Sequence, residues 1–414
     1  MGTYYDTWQE LIFILFESVR RAPSGGGIVH PNAKLAITSR ALTSMSLGFI
    51  MVILPLYLNA IGYGLVTVGL VLFIAMIINA LLAFLLGMVA DHYGRKYVLI
   101  LLFTMFVFSS SLFISIKSVY ALAVLAGIAG FTTGSTGGPI GSGGPVGGVQ
   151  TAIISETVDA KGMPKLLGIA SIVEMSAAMV GSFIITAAAY LHVYIYDLFY
   201  LGALLGFAAL VASFFIRDLK VRSRRFLPSI SYRNILKLSI PTIPCGLGSG
   251  LIIPILSLWF KLRYNAPTSE IGIVFGLMNG VTLISMYLMP RLSMAIGKLK
   301  VIVLTRVVAS VAFILMAFSP FFALAALFLI TRGTFAMGSM PVRQSFVMTN
   351  VDPTERATTN GATSVSRNGA SSFGPLISGY LLPLDFTMIP LFGGIITMFG
   401  PLFYYLMFRD QWKK

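Results

Sequence analysis

Gly87-Met88-Val89-Ala90-Asp91-His92-Tyr93-Gly94-Arg95-Lys96 is a charged decapeptide set between two apolar runs, roughly 65–90 and 97–116. Each run is long enough to cross a bilayer, which takes about 20 residues of helix. A loop between two spanning helices must reverse the chain in a few residues. Gly94 suits that turn, because glycine reaches backbone angles that strain other residues. Asp91, Arg95 and Lys96 then stand at the water boundary, within reach of each other or of a neighbouring helix end.

The composition sets the same frame. Of 414 residues, 57% are hydrophobic and 10% charged, and the mean hydropathy is +0.89. Soluble domains carry about 25% charged residues, so the chain belongs in a membrane. The net charge of +15 does not call for nucleic acid, because the basic residues bunch in alternate loops. Arg95 and Lys96, Lys161 and Lys165, Arg217 to Arg233, Arg291 to Lys300, Arg356, and Arg409 to Lys414 form one set. The opposite loops hold Lys117, Lys261 and Arg263. That asymmetry follows the positive-inside rule and puts both termini in the cytoplasm. Cys245 is the one cysteine, which excludes an intrachain disulfide.

Residues 4–21 read as an amphipathic helix with Trp8, Leu11, Ile12, Leu15, Phe16 and Val19 on one face. It is expected to lie on the cytoplasmic membrane surface, so that 1–33 form a surface helix and linker. Twelve spans follow, at about 34–60, 65–90, 97–116, 119–152, 165–191, 197–216, 234–260, 270–290, 300–318, 321–350, 359–383 and 387–408. They divide into an N-terminal bundle, 34–216, and a C-terminal bundle, 234–409. A basic cytoplasmic linker, 217–233, joins them, and 410–414 form a tail. The halves repeat. Gly48 lines up with Gly250 at an offset of 202, and Gly94-Arg95 with Gly297-Lys298 at 203. Pro145-Val146 matches Pro341-Val342 at 196, and Gly168 matches Gly361 at 193. The offsets drift slowly, and each match falls in the same span of its half.

The pattern Gly87-x-x-x-Asp91-x-x-Gly94-Arg95-Lys96 between spans two and three resembles the signature loop of the major facilitator superfamily of secondary transporters. His92 stands where that family usually has a basic residue. Parallel six-helix repeats are what such transporters are built from, and the resemblance covers about 34–409. It implies an all-α integral membrane fold, twelve transmembrane helices in two pseudo-symmetric six-helix bundles. It also implies a central site served by spans one, four, seven and ten. The signature loop, with Gly87, Asp91, Gly94, Arg95 and Lys96, then acts as a gate. Its acid faces the start of span eleven at Thr358-Thr359-Asn360, where unpaired amides favour a carboxylate. The second-half copy has Met294 in place of the acid, so the latch works from one side.

Two kinds of residue are candidates for the site. In span four, eight glycines and two prolines crowd the fifteen positions from Gly134 to Gly148, including Gly138, Pro139, Gly144 and Pro145. An unwound stretch at this depth is tolerated where it lines a cavity or is buried in protein. It either contacts the solute or serves as a hinge. Charges inside spans are functional candidates by default. Arg40, Glu174, Arg332, Arg343 and Arg367 qualify. Arg40, Arg332 and Arg343 are assigned to the solute. Glu174, whose pKa burial should raise, is the proton-coupling candidate, with an interhelical ion pair as the alternative. Arg367, its repeat mate, is placed at a gate between the halves.

No metal-ligand cluster and no phosphate-binding Gly-x-x-x-x-Gly-Lys-Ser/Thr motif occurs, so no cofactor is expected and the chain is not read as an enzyme. The favoured reading is proton-coupled efflux of a small amphipathic solute by alternating access, an antiporter. Span five lacks the Gly-Pro pattern common in drug–proton antiporters, having Gly181-Ser182. The excess of buried arginine makes uptake or exchange of an organic anion, a carboxylate or phosphate ester, the main rival. A non-transporting membrane receptor is the remaining alternative. The expected partners are the solute, protons and membrane lipid, for a monomer in the plasma membrane.

Overall fold

A computed structural model describes residues 30–132, 144–158, 162–217, 232–351 and 356–412. The expected surface helix at 4–21 lies outside them, as do Gly138, Pro139 and most of the linker between the halves.

The described chain is helical throughout. The helices are α1 (Pro31–Ala60), α2 (Leu65–Tyr93), α3 (Arg95–Leu112), α4 (Val119–Ala129), α5 (Gly144–Glu156), α6 (Met163–Tyr190) and α7 (Leu198–Phe214) in the first half. The second half contains α8 (Tyr232–Ser239), α9 (Thr242–Ile252), α10 (Leu256–Tyr264), α11 (Thr268–Ile296) and α12 (Lys298–Ala317). Four more complete it: α13 (Phe322–Gly338), α14 (Met340–Thr349), α15 (Arg356–Leu381) and α16 (Met388–Met407). Among the described residues ten segments are long and apolar enough to cross a membrane. The fourth crossing is split into α4 and α5, and the eleventh, α15, is too polar to meet that measure, so the passes total twelve. Spans seven and ten are also broken, at Ile253–Ile255 and at Ser339.

Local chemistry sets these boundaries. α1 begins with Pro31 at its first position, and His30 Nδ1 accepts from the Asn32 amide at 3.2 Å, a proline start that needs no amide hydrogen. α2 and α3 are joined by Gly94 alone, at φ 111° and ψ 135°, and α11 and α12 by Gly297, at φ 95° and ψ 146°. Both amides donate to the carbonyl four residues back at 3.1 Å. These two glycines are the repeat mates named above, and their shared left-handed angles explain why glycine stands at both turns. We call the face carrying these turns, the start of α1 and the end of α16 the linker face. The opposite is the far face.

The packing repeats as the sequence does. α1 lies against α6 and α7, and correspondingly α9 lies against α15 and α16. Close approach is set by small residues: Gly48 meets the Ala178 backbone and Gly181 the Met45 carbonyl, while Gly250 meets Ser371 and Gly374 meets Gly250. Aromatic groups fill the far-face ends, with Tyr57, Phe113 and Phe199 mutually in contact in the first half and Phe131 against Phe113 and Phe199. Trp259, Phe260, Tyr264 and Phe322 play the same part in the second.

The two bundles meet through α2 against α15 and α6 against α11. Their contacts run from mid-depth to the far face. Ser257 Oγ donates to the Val52 carbonyl at 2.6 Å, and Thr186 Oγ1 to the Ser269 carbonyl at 2.9 Å. Asn279 Nδ2 donates to Ser182 Oγ at 3.3 Å, and Gly69 sits on Pro375 and Gly379. Toward the linker face, Gly87, Gly168 and Gly361 have open space where a side chain would project, and Leu85, Met88 and Val365 are exposed. Among the described residues no hydrogen bond joins the bundles there. Among the described residues the hydrogen bonds and close glycine contacts that join the bundles lie from mid-depth to the far face.

Candidate functional site

The interior polar groups divide unequally between the halves. In the first, Arg40 of α1 and Glu174 of α6 form an ion pair, Nε to Oε2, at 2.8 Å. Both are buried, at 4% and 0% exposure. Arg40 Nη1 also donates to Thr151 Oγ1 of α5 at 3.2 Å, so the arginine ties spans one, four and five together. The chain neighbours of Thr151 and Arg40 are joined as well, Gln150 Nε2 donating to Ser39 Oγ at 3.0 Å. A buried pair holds together because removing either partner strands a charge. The structure therefore joins two residues that the sequence reading assigns to separate tasks, the solute and the proton. It also leaves the interior of this half close to neutral.

The second half is different. Arg332 of α13 and Arg367 of α15 are 2% and 9% exposed, and Arg306 of α12 is 8% exposed. Arg343 of α14 is half-buried and nearer the linker face. Arg306 stands close enough to the other three for each to feel its charge, and Arg343 does the same to Arg367. Arg332 Nη2 donates to Ser249 Oγ of α9 at 3.1 Å, and its guanidinium lies 4.7 Å from the Phe313 ring centre. Its Nη1 has no acceptor, nor have Nε and Nη1 of Arg367. No carboxylate pairs with any of the four among the described residues. Each charge near the bilayer centre costs about 2.5–3.5 kcal/mol on insertion scales. Among the described residues the four form a group of interior cations without a carboxylate counter-ion.

The sequence reading finds three of these arginines and passes over Arg306. The signal was present, since Arg306 interrupts the apolar stretch Val301 to Phe318 as Arg332 interrupts its own. Arg367, expected at a gate between the halves, is buried on α15, one of the two second-half helices that pack against the first half.

The glycine-rich stretch is partly visible. In span four the first helix ends at Ala129, before a left-handed Gly130 at φ 72°, and the described chain takes up again in helix from Gly144, whose φ is 81°. Pro145 is buried behind it. In the signature loop, Gly87 is half-buried and Gly94 makes the turn. Arg95 Nη1 is ion-paired with Glu156 Oε1 at the end of α5. Lys96 Nζ donates to the Phe214 carbonyl at 2.7 Å, capping α7. The side chains of Asp91, Thr358 and Asn360 lie outside the described residues, and with them the expected latch. An apolar cleft of about 440 Å³ between α12 and α16, lined by Val303, Val307, Phe399 and Leu402, opens on the outside of the bundle, away from the arginines. Among the described residues no group of histidine, cysteine and acid is arranged to hold a metal ion.

Comparison with known proteins agrees with this architecture. No curated protein sequence matches the chain. Solved structures similar in fold include the nucleoside transporter NupG, at 14% identity and a TM-score of 0.70, covering 92% of this chain and 99% of that one. The human organic anion transporter MFSD10 (TETRAN) aligns at 14% identity with a TM-score of 0.65, covering 90% and 99%. An auto-inhibited peptide transporter of the POT family aligns at 12% identity with a TM-score of 0.71, covering 91% and 96%. The family model described as Major Facilitator Superfamily matches twice, over residues 36–240 and 238–413. One match per six-helix half accounts for the repeat and for the shared turns at Gly94 and Gly297, and the chain belongs to the Major Facilitator Superfamily.

Proposed function

We propose that this secondary transporter carries a small organic anion by alternating access, with the arginines of the second half reading the charge. The carrying observation is the group Arg306, Arg332, Arg343 and Arg367, buried or half-buried within the second half and without a carboxylate partner among the described residues. A guanidinium is planar, always charged and suited to bidentate contact with carboxylate or phosphate. A neutral amphipathic solute gives such a group nothing to bind. The positive-inside pattern supports a cytoplasmic linker face. On this reading the chain works as a monomer in the plasma membrane, with the boundaries 34–216 and 234–409 for its two moving halves.

The second reading is proton-coupled efflux of amphipathic compounds, with Glu174 as the carrier of the proton. Its supporting observation is that Glu174 is fully buried near a moving interface. Against it, Glu174 Oε2 is engaged by the Arg40 guanidinium at 2.8 Å. The two readings separate in one experiment. The purified chain is reconstituted in liposomes, and uptake of an organic anion and of a neutral amphiphile is followed with and without a pH gradient. Anion uptake that Arg332→Ala abolishes, with Glu174→Gln leaving the response to the gradient unchanged, supports the first reading. Accumulation of the neutral compound that needs the gradient and Glu174 supports the second.

A further inference from the structure

We propose that the apolar cleft between α12 and α16 is a lipid site. It takes an acyl chain of one anionic phospholipid from the linker-face leaflet, and the phosphate rests on cations at the ends of the two helices. The site lies on the outside of the bundle and stands whatever the solute is.

The two helices approach closely at mid-depth, where Gly394 meets the Ile314 side chain and the Ser310 carbonyl. Nearer the linker face, a space of about 440 Å³ lies between Val303 and Val307 of α12 and Met398, Phe399, Leu402 and Tyr405 of α16. Pro401 stands in the same wall, inside α16, and proline there removes a backbone bond and bends a helix. The lining runs from Val303 to Ile314 on one helix and from Tyr405 back to Ile395 on the other. At about 1.5 Å per residue each stretch measures roughly 15 Å, half of the roughly 30 Å hydrocarbon core. α12 begins at Lys298 and α16 ends at Met407, both on the linker face. The cleft therefore crosses the linker-face leaflet and stops near the midplane, the reach of one acyl chain.

An apolar wall alone selects nothing, because every lipid-facing helix presents one. Here the walls end in cations. Lys300 precedes Val303 and Val307 at helical spacing on the same face, and Arg409 follows Tyr405 by about one turn. Lys298 stands at the head of α12. Lys298 and Lys300 are half-buried and Arg409 is exposed. None of the three is paired with a carboxylate among the described residues. Asp410, the acid beside Arg409, offsets one of the three charges. Tyr405 and Trp412 pack edge to face with 5.1 Å between ring centres, and such amphipathic rings settle at headgroup depth. Cations gathered between spanning helices on the cytoplasmic side hold the headgroups of anionic lipids. A zwitterionic phospholipid brings its own cation to that place and gains less.

The test uses the full chain purified in detergent and offered an equal mixture of dioleoyl phosphatidylglycerol and dioleoyl phosphatidylcholine. Native mass spectrometry counts the lipid retained, and the melting temperature shows that each variant is folded. Phosphatidylglycerol should be retained as one copy, about tenfold or more in preference to phosphatidylcholine, as two excess cations predict. Lys300→Gln should lower that preference about fivefold, with Arg409→Gln as the second variant if the first melts early. Val307→Phe, which fills the cleft, should release the lipid, with Val303→Phe as its alternative. Equal retention of the two lipids overturns the anionic assignment. A preference unchanged by the charge variants overturns the headgroup contact, and one unchanged by the filling variants overturns the cleft as the site. A dimer that forms without lipid and that Val307→Phe disperses would make the cleft a contact between copies and overturn the proposal. No solute enters the experiment, so its failure leaves the anion reading untouched.

Discussion

Glu174 and Arg367 hold equivalent positions in the two halves, a carboxylate in one and a guanidinium in the other, each buried and each beside the first helix of its half. Glu174 meets Arg40 at 2.8 Å; Arg367 meets the backbone of Gly246 and no acid among the described residues. The repeat thus preserves the helix packing while inverting the charge, and the anion reading proposed for this transporter rests on that contrast.

Truncating Arg332 or Arg367 to alanine should weaken anion binding by about 1.5–3 kcal/mol each, the range for a hydrogen bond to a charged group. That is roughly tenfold to over a hundredfold in affinity. Lysine should restore little, since it lacks the planar fork. Ligand-induced shifts in melting temperature, read for anionic and neutral probes side by side, check this. Equal loss for both kinds of probe would instead mean damage to the fold.

Breaking the first-half pair should act on stability first. Glu174→Met leaves Arg40 buried without its partner and should cost about 3–5 kcal/mol, whereas Arg40→Met with Glu174→Met should recover most of the loss. Thermal unfolding in detergent for the two singles and the double measures it. A double variant no more stable than the singles would show that the pair does more than cancel itself.

The turns at Gly94 and Gly297 lie at φ 111° and 95° with extended ψ, a region nearly closed to residues with a Cβ. Gly94→Ala and Gly297→Ala should each cost about 1–3 kcal/mol. The losses should add, because the two sites are far apart. Chemical denaturation of the reconstituted protein tests both the size and the additivity.

Gly48→Val and Gly250→Val address packing rather than backbone angle. The added side chain would meet the Ala178 backbone in the first case and the Ser371 backbone in the second. Neither backbone is free to move without separating α1 from α6 or α9 from α15. Both variants should fail to accumulate as folded protein, while Gly168→Val, where nothing lies within reach, should behave as the parent does. Size-exclusion profiles of the three report the outcome.

Asp385, in the far-face turn before α16, is held below the usual carboxylate range, first by the Thr387 hydroxyl and then by its amide. The amide donates to Asp385 Oδ1 at 2.8 Å. A depressed folded pKa adds stability that is present above the ordinary carboxylate value, about 3.9, and is lost as pH falls through the folded value. Acid titration of unfolding should therefore show a loss below about pH 4 that Asp385→Ala removes. An identical profile for the variant would assign the acid sensitivity elsewhere.

The turn at Gly94, the twelve crossings and the half-to-half register were legible because each rests on local chemistry: glycine at a reversal, apolar length, and matched spacing. Arg40 and Glu174 were legible as buried charges but not as partners. Their separation of 134 residues is closed by packing of α1 on α6 through Gly48 and Gly181, and a single chain does not reveal which of several buried charges face each other. Arg306 was missed because a run of hydrophobic residues on both sides of it satisfied the length criterion, and one cation did not change the reading. The low hydropathy of α15 was equally informative in retrospect: Ser371, Ser372, Ser378 and Arg367 are buried within the protein, so this helix does not need to be soluble in lipid.

The two ends of the molecule carry different chemistry. The far face is held by hydroxyl-to-carbonyl bonds and glycine contacts, which dissolved ions do not screen. The linker-face ends of the first-half helices are dressed instead with Arg95, Glu156 and Lys96, groups whose attraction fades over about 8 Å in physiological saline. Raising ionic strength should therefore loosen the Arg95–Glu156 pair within the first half while leaving the far-face bonds between the bundles untouched, so that electrolyte acts on one end of the molecule and not on the other.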